Sequence, residues 1–335
     1  MTIYDIAQRA GVSIATVSRV VNGSSKVRDE TRQRVLSIIA ESGYLPNAFA
    51  RGLGTDSMKT VGLVCADIAH PFMAHAVSYL ERALQSNGYD CILVCSDLDG
   101  DYKRTSIQRL LAKRIDALIL ISSKYEDAIS SDNEPDYVAD AARCVPVFVI
   151  NGRIPGDNVY CTFSTDFDIV REITASLIRS GRKRILFLSD APRFVVLRRL
   201  KGYEQALRDA KKPIDPTLQI VTRNEIAYTE QMLVERVQNG LNFDAVVASE
   251  DDLAIAAIKF AAHTGKSIPE DLEIYGFNNT PLASSCEPEL TSVDNQLELQ
   301  CAETVRNLLA VLNGETDILQ ARVFPAQIVK RQTTR

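Results

Sequence analysis

Tryptophan is missing from the 335 residues of this chain, and histidine occurs only three times. No stretch approaches the roughly 18 consecutive apolar residues of a membrane-spanning helix, and the amino terminus has no basic-then-apolar leader. The sequence therefore predicts a cytoplasmic protein with no membrane partner. Because tryptophan is absent, any aromatic ring that stacks on a ligand must come from phenylalanine or tyrosine.

The sequence also has no convincing metal, phosphate or catalytic motif. Its seven cysteines lie mostly inside apolar runs such as VGLVCAD and CILVCSD, which is typical of buried free thiols. DLDGDY, beginning at Asp97, resembles a calcium loop, but its glycine stands at the fourth position rather than the sixth. No phosphate-binding glycine loop, nucleophile elbow or dinucleotide fingerprint is present. We therefore expect no metal, no cofactor and no enzymatic activity.

Charge is distributed unevenly along the chain. The formal net charge is −5, with 46% apolar and 24% charged residues, which is ordinary for a globular protein. Residues 1–59, however, contain eight lysines or arginines against five aspartates or glutamates. A small basic segment on an acidic body suggests an anionic partner for that segment alone.

Three short helices are predicted at the amino terminus. TIYDIAQRA begins after Thr2, a capping residue with an acidic partner three residues later, and ends at Gly11. Ser13 caps a second helix, IATVSRVVN, which ends at Gly23, and DETRQRVLSIIAESG forms the third. The tight glycine-containing turn between the first two helices is typical of a helix-turn-helix.

The second helix has one apolar side and one mixed side. Val17, Val20 and Val21 fall on the side that packs against the other helices. The mixed side fits the DNA major groove, where Arg19 suits guanine and Ile14 suits a thymine methyl. The predicted DNA contacts of this unit, most of the others to phosphates, are Tyr4, Ser13, Ile14, Ala15, Thr16, Ser18, Arg19, Asn22 and Lys26. A small helical protein-binding module is the alternative interpretation.

After residue 60 the sequence alternates buried strands with helices. TVGLVCAD, DCILVCSD, DALILIS and VPVFVING are strands of a first lobe, and FDAVVAS and LEIYGFNN belong to a second. This alternation predicts parallel βαβ units on two sheets. The predicted boundaries are 1–45 for the helix-turn-helix head, 46–59 for a hinge helix and linker, 60–161 with about 291–321 for the first lobe, and 162–290 with about 322–335 for the second.

TIYDIAQRAGVSIATVSRVVNG resembles the head of the lactose-repressor (LacI/GalR) family of bacterial transcription regulators, and GYLPNAFARGLG resembles that family's hinge helix. The resemblance runs over the whole chain, and the head is most similar to the catabolite control protein branch. It implies a periplasmic-binding-protein-like body of two doubly wound parallel-sheet lobes. It also implies a homodimer joined through helices at 72–84 and 105–114, and a double-stranded, pseudo-palindromic DNA operator.

The hinge segment NAFARGLG is too short to persist as an isolated helix, so it can become ordered on DNA. By resemblance, Leu53 of each subunit wedges into the minor groove at the operator centre. Asn47, Ala48 and Arg51 would lie in the same groove. A plain flexible linker is the alternative.

Polar side chains follow the predicted strands, at the sheet edge where α/β proteins bind ligands. Carboxylates, amides and guanidinium groups chelate sugar hydroxyls, and a ring such as Phe72 packs on a sugar face. The candidate effector residues are Asp67, His70, Phe72, Asp97, Asn151, Arg153, Arg199, Glu250, Asn278 and Asn295. The family resemblance assigns effector contacts to Asn151, Arg199, Glu250, Asn278 and Asn295.

The chain departs from the family at this site. Members usually have Gly-Phe-Asp where this chain has Gly276-Phe277-Asn278, and the usual Asn-Asp pair is replaced by Glu250-Asp251. The sequence predicts a repressor whose operator affinity is modulated by a sugar or sugar derivative. The alternatives are a catabolite-control-type regulator with a phosphorylated carrier protein as corepressor, a cytoplasmic sugar-binding protein without DNA function, and an enzyme on a doubly wound fold.

Overall fold

The computed structural model describes residues 1–21, 24–43, 57–96, 100–121, 137–190 and 194–335. They form two compact units, a helical head and a body that contains both sheets. In these ranges, no helix combines the length and the apolar character needed to span a bilayer.

The first helix of the head begins and ends at the capping residues that the sequence predicts. The head helices are α1 (Ile3–Ala10), α2 (Ile14–Val21) and α3 (Asp29–Ser42). Thr2 and Asp5 form a reciprocal capping box at the start of α1, because each side chain accepts from the other's backbone nitrogen. Gly11 ends α1 at a φ of 64°, in the left-handed region where glycine has no Cβ penalty.

The three head helices enclose a small apolar core. Ile6 of α1, Val17 of α2 and Val35 of α3 are each 0% exposed, and Val20 and Val27 complete the centre. The predicted inward side of α2 is therefore confirmed. Since Val17 and Val20 fix which side of α2 is buried, the opposite side of this helix is exposed.

The body elements alternate as the sequence predicts. The strands are β1 (Thr60–Cys65), β2 (Asp90–Cys95), β3 (Ala117–Ile121), β4 (Val147–Ile150), β5 (Val159–Ser164), β6 (Ile185–Ser189), β7 (Gln219–Val221), β8 (Ala245–Ala248), β9 (Glu273–Phe277), β10 (Thr291–Asp294), β11 (Ala321–Phe324) and β12 (Gln327–Val329). The helices are α4 (Pro71–Gln85), α5 (Gly100–Ala112), α6 (Tyr137–Ala142), α7 (Asp166–Arg179), α8 (Phe194–Asp209), α9 (Ile226–Gln238), α10 (Asp251–Thr264), α11 (Pro281–Ser285) and α12 (Leu297–Leu312).

The first lobe is a six-stranded sheet in the order β11-β5-β4-β3-β1-β2. Strands β11, β5, β4, β3 and β1 run parallel to their neighbours, with Leu63 opposite Ile119. A core that includes Leu80 of α4 and Leu308 of α12 lies against one face of this sheet. Strands β3 and β4 are buried along their whole length, as expected for parallel strands covered on both faces.

The second lobe repeats this winding in the order β12-β10-β9-β8-β6-β7. Its strands are parallel except β12, which pairs antiparallel with β10 at the edge. Phe260 of α10 belongs to the core on one face, and Tyr203 of α8 to the core on the other. The predicted second parallel sheet is confirmed, with one antiparallel strand added at its edge.

The chain crosses between the lobes three times, after Ser164, Asp294 and Phe324. The predicted lobe boundaries at 162, about 291 and about 322 each lie a few residues before one of these crossings. The boundaries therefore move to the residues that follow Ser164, Asp294 and Phe324. Strand β10 pairs with β9 and belongs to the second lobe, whereas β11 pairs with β5 and belongs to the first. Strands of four residues have too short an apolar pattern to reveal which sheet they join.

The close approach of α7 and α8 at Gly202 gives a stability prediction. A methyl group at Gly202 would lie 2.3 Å from the backbone oxygen of Phe167, so the helices would have to separate. We expect Gly202→Ala to lower the free energy of unfolding by about 1–3 kcal/mol, despite alanine's higher helix propensity. Urea unfolding measures this, with the exposed neighbour Lys201→Ala as the matched control. Equal stabilities of the two variants would contradict the close approach.

Candidate functional site

The outward side of α2 is the candidate DNA-contact surface. Ile14 is 41% exposed although it is a large apolar residue, and Ala15 and Arg19 are exposed beside it. The Arg19 side chain forms no hydrogen bond or ion pair with the described residues, so its guanidinium is available to a partner. An exposed isoleucine beside an available arginine suits base edges, where thymine methyls and guanine acceptors lie together.

The residues around α2 divide into capping and exposed groups. Ser13 caps the helix as the sequence predicts, since its hydroxyl accepts from the Thr16 backbone nitrogen at 3.2 Å. The same hydroxyl lies 2.9 Å from the Thr16 hydroxyl, so both side chains already have a local partner. Tyr4 is 67% exposed, Lys26 is exposed and Ser18 is half-buried. These three side chains are accessible to phosphates.

Some of the predicted site residues lie outside the described residues. They are Asn22, Asn47, Ala48, Arg51, Leu53 and Asp97. Their assignments stay predictions from the sequence.

Arg199 of α8 is a buried cation of the body, with 1% of its surface exposed. Its Nε donates to a carboxylate oxygen of Asp166 at 2.8 Å, and Nη1 donates to the backbone oxygen of Ser249. The guanidinium carbon lies 3.4 Å from the ring centroid of Phe277, and Nη1 is 3.7 Å from Glu250. Asp166 therefore compensates the charge of Arg199, and Glu250 stands beside this pair.

Glu250 begins a chain of side-chain hydrogen bonds at the carboxyl ends of β8, β9 and β10. Asn278 donates to Glu250 through Nδ2, and Asn295 donates through its own Nδ2 to Oδ1 of Asn278 at 3.1 Å. Because a carboxylate can only accept, this chain fixes the orientation of both amides. Asn295 is 0% exposed, and its Oδ1 is left without a hydrogen-bond partner among the described residues.

Gln300 of α12 extends this chain into the first lobe. Its Nε2 donates to the backbone oxygen of Asn295 at 2.7 Å, and its Oε1 accepts from the backbone nitrogen of Asn151 at 3.2 Å. Asn151 follows β4 at a φ of 57° and is buried, and its Oδ1 has no partner among the described residues. The structure thus brings together Arg199, Glu250, Asn278, Asn295 and Asn151. We call them, with Gln300, the cleft network.

His70 faces this network from the first lobe, just before α4. Its Nε2 lies 3.7 Å from a carboxylate oxygen of Glu250, and the imidazole is 15% exposed. Neither ring nitrogen makes a hydrogen bond in the described part of the chain. Burial raises the pKa of Asp252 above its ordinary value, while nearby His70 opposes that rise. Two carboxylates of the second lobe therefore face one histidine of the first.

Phe72 differs from its predicted role. It is 4% exposed and belongs to the first-lobe core, so its ring has little free surface on which a sugar can stack. It does line a cavity of about 350 Å³ together with Asn278, Thr280 and Leu297. The ring is buried because it starts the inward side of α4, which also includes Ala76. Its contribution is to the cavity wall.

Asp67 and Arg153 are not part of the cleft network. A carboxylate oxygen of Asp67 accepts from the Ala69 backbone nitrogen at 2.8 Å, which stabilises the turn before α4. Both side chains are exposed, so the structure leaves them outside the buried group.

Three residues of the site were not predicted. Asp166 pairs with Arg199, and Gln300 joins the two lobes. Asp166 comes just after the crossing that follows β5, and Gln300 just after the crossing that follows β10. Asp252 is the second residue of α10, and its polar type in an apolar helix was the available signal. In the described residues, no cluster of His, Cys, Asp and Glu side chains is arranged to hold a metal ion.

Asp251 is a buried carboxyl whose hydrogen bonds stay within the second lobe. It accepts from the Thr280 backbone nitrogen at 2.7 Å, the Thr280 hydroxyl at 2.8 Å and the Ser292 hydroxyl at 2.6 Å. Burial raises the pKa of Asp251 from 3.8 to about 6, although these hydrogen bonds oppose the rise.

This raised pKa predicts a pH-dependent stability term. The pKa of Asp251 is 3.8 in the unfolded chain and about 6 in the folded protein, so between these pH values the folded state keeps a proton that the unfolded state releases. The free energy of unfolding therefore falls as the pH rises through this range. The loss is about 3 kcal/mol between pH ~4 and pH ~7. We expect the stability of Asp251→Asn relative to the wild type to rise by that amount over this range, measured by urea unfolding. A difference that does not change with pH would contradict the assignment.

Comparisons with known proteins match both parts of the chain. Residues 2–47 match "Bacterial regulatory proteins, lacI family", and residues 174–334 match "Periplasmic binding protein-like domain". A protein named HTH-type transcriptional regulator from Lachnoclostridium phytofermentans is 43% identical over 334 residues, covering 100% of this chain and 99% of that protein. Catabolite control protein A from Priestia megaterium is 32% identical over 342 residues, covering 100% and 99%.

Solved structures share the whole architecture. The lac repressor dimer bound to operator and the anti-inducer ONPF superposes with a TM-score of 0.87 at 25% identity, covering 100% of this chain and 99% of that chain. The complex of the transcriptional regulator CelR with cellobiose gives a TM-score of 0.71 at 28% identity, covering 99% of each chain. The predicted head and two-lobe body are confirmed, and the relatives are regulators rather than enzymes.

Proposed function

Because the chain belongs to the lacI family of bacterial regulatory proteins, we propose that it is a cytoplasmic transcriptional repressor controlled by a carbohydrate effector. As a homodimer it would bind a pseudo-palindromic operator with its two heads, since a two-fold dimer requires matching half-sites. The effector would bind between the lobes of the body and change the operator affinity.

The observation that carries the DNA-binding role is the outward side of α2. Ile14, Ala15 and Arg19 are exposed there, while Val17 and Val20 hold the helix onto the head. Arginine to guanine and an aliphatic contact to thymine are the pairings that distinguish bases in the major groove. The other proposed contacts of the head are to DNA phosphates, and those of the hinge segment are to the minor groove.

The effector role is supported by the cleft network and its unpartnered atoms. Buried amides normally have hydrogen-bond partners, yet the Oδ1 atoms of Asn151 and Asn295 have none among the described residues. A polyhydroxylated ligand would supply donors to these oxygens. The similar transcriptional regulator CelR has been solved in complex with cellobiose. Asn151, Arg199, Glu250, Asn278, Asn295 and His70 are the proposed effector residues.

Effector control requires the ligand to prefer one arrangement of the lobes. A ligand that binds both lobe arrangements equally does not shift the equilibrium between them. The free energy that couples effector to operator therefore cannot exceed the ligand's difference in affinity for the two arrangements. A coupling of ~1–3 kcal/mol would change operator affinity ~5–150-fold.

The test is selection of duplexes from a random DNA pool by the full chain, followed by gel shifts on the selected site with and without sugars. We expect a two-fold symmetric consensus and an affinity that one sugar changes at least fivefold. Binding without base preference would contradict the repressor role. Specific binding that no sugar alters would contradict the effector role alone.

The 32% identity to catabolite control protein A carries a second candidate, a phosphorylated carrier protein as corepressor. Gel shifts on the same operator with the phosphorylated carrier protein and with its unphosphorylated form distinguish the two.

A further inference from the structure

The hydrogen-bond chain that starts at Glu250 leaves acceptors at its far end. Since Glu250 only accepts, Asn278 must present its NH2 group to it and its oxygen to Asn295. Asn295 then presents its own NH2 group to Asn278, and its buried Oδ1 is the atom left over. The Oδ1 of Asn151, at the other end of Gln300, is also buried and unpartnered. A ligand at this network is therefore required to donate hydrogen bonds.

The cations near this network are already compensated. Arg199 is paired with Asp166 at 2.8 Å, and its remaining electrostatic neighbour is Glu250. His70 of the first lobe faces both Glu250 and Asp252. An anionic ligand group would meet the Glu250 carboxylate beside an arginine, Arg199, whose charge is already paired with Asp166.

Glu250 is buried between the two lobes, where its charge can discriminate between ligands. It is 3% exposed, so its charge acts in a medium of low polarity, where repulsion between like charges is stronger than in water. It lies between Arg199 of its own lobe and His70 of the opposite lobe, at 3.7 Å from each. Any ligand that joins the two lobes here must be compatible with this carboxylate.

We propose that Glu250 is the specificity-determining residue of the cleft and that it selects an unphosphorylated, uncharged polyol over phosphate esters and carboxylates. This inference rests on the effector role proposed above. Hydroxyl groups both donate and accept, so they satisfy Glu250, Asn295 and Asn151 while also accepting from His70. A phosphate group has mainly acceptor oxygens and a negative charge, so it satisfies none of these acceptors.

The experiment compares matched ligand pairs on the full chain by thermal shift and calorimetry. The pairs are glucose and glucose 6-phosphate, ribose and ribose 5-phosphate, and cellobiose and 6-phosphocellobiose, with further free sugars added in the same way. We expect at least one free sugar to bind at least tenfold more tightly than its phosphate ester. A phosphate ester that binds as tightly as its parent sugar, or a panel in which no free sugar binds, would overturn the inference.

The variant Glu250→Gln tests the residue itself, since glutamine keeps the shape and the bond from Asn278 but removes the charge. We expect the preference for the free sugar to fall at least tenfold in this variant. Glu235→Gln, an exposed carboxylate on α9, is the matched control and leaves the preference unchanged. An unchanged preference in Glu250→Gln removes Glu250 as the selecting group. Operator binding is measured on each variant, so failure of the DNA-binding role is seen separately and folding is verified.

Discussion

Replacing Arg199 with alanine is expected to abolish the effector response and to lower the free energy of unfolding by about 3–5 kcal/mol. The guanidinium is 1% exposed, so the variant leaves the equally buried Asp166 carboxylate without its charged partner. The substitution also removes the packing on Phe277 and the donor to the Ser249 backbone oxygen. Urea unfolding gives the stability change, and gel shifts with the effector give the response.

Two further variants separate these effects. Arg171→Ala breaks the ion pair with Asp209, whose partners are both more than 40% exposed, and should cost no more than about 1 kcal/mol. The double variant Arg199→Met with Asp166→Asn removes both buried charges and should recover much of the stability. If the double variant also recovers a normal effector response, Arg199 does not take part in effector binding.

The helices of the head could be predicted closely because their signals are local. The capping box at Thr2, the left-handed glycine at Gly11 and the apolar spacing of Val17 and Val20 each lie within a few residues of the element they specify. The strands that begin each βαβ unit were equally clear, since buried parallel strands are continuous apolar runs. The short strands β10 and β11 were not assigned to the correct sheet, because their pairing with β9 and β5 depends on distant residues.

Only those residues of the candidate site that directly follow a strand could be predicted from the sequence. Glu250, Asn278 and Asn151 follow strands, and the structure brings them into one network. Asp166 and Gln300 were missed because Asp166 is 33 residues from Arg199, and Gln300 is 149 residues from Asn151. Such contacts exist only once both lobes have folded and the chain has crossed between them.

Replacing Arg19 with alanine is expected to weaken specific operator binding by about 2–6 kcal/mol, roughly 30-fold to more than 10⁴-fold. One bidentate arginine–guanine pair is worth ~1–3 kcal/mol, and a two-headed dimer loses it at both half-sites. The Arg19 side chain is exposed on α2 and unpaired among the described residues, so its removal costs the head no side-chain hydrogen bond or ion pair there. Competition gel shifts with every base at each operator position measure the change. Base preference should fall at one symmetric pair of positions.

Arg34→Ala is the matched control, because it removes the same charge from the exposed surface of α3. It should reduce binding to all duplexes slightly and equally, through the loss of long-range attraction to phosphates. Arg19→Ala should show the same small general loss and, in addition, relax specificity. If both variants weaken all duplexes equally and keep the full base preference, Arg19 contacts the phosphate backbone, and base readout belongs to other residues of α2.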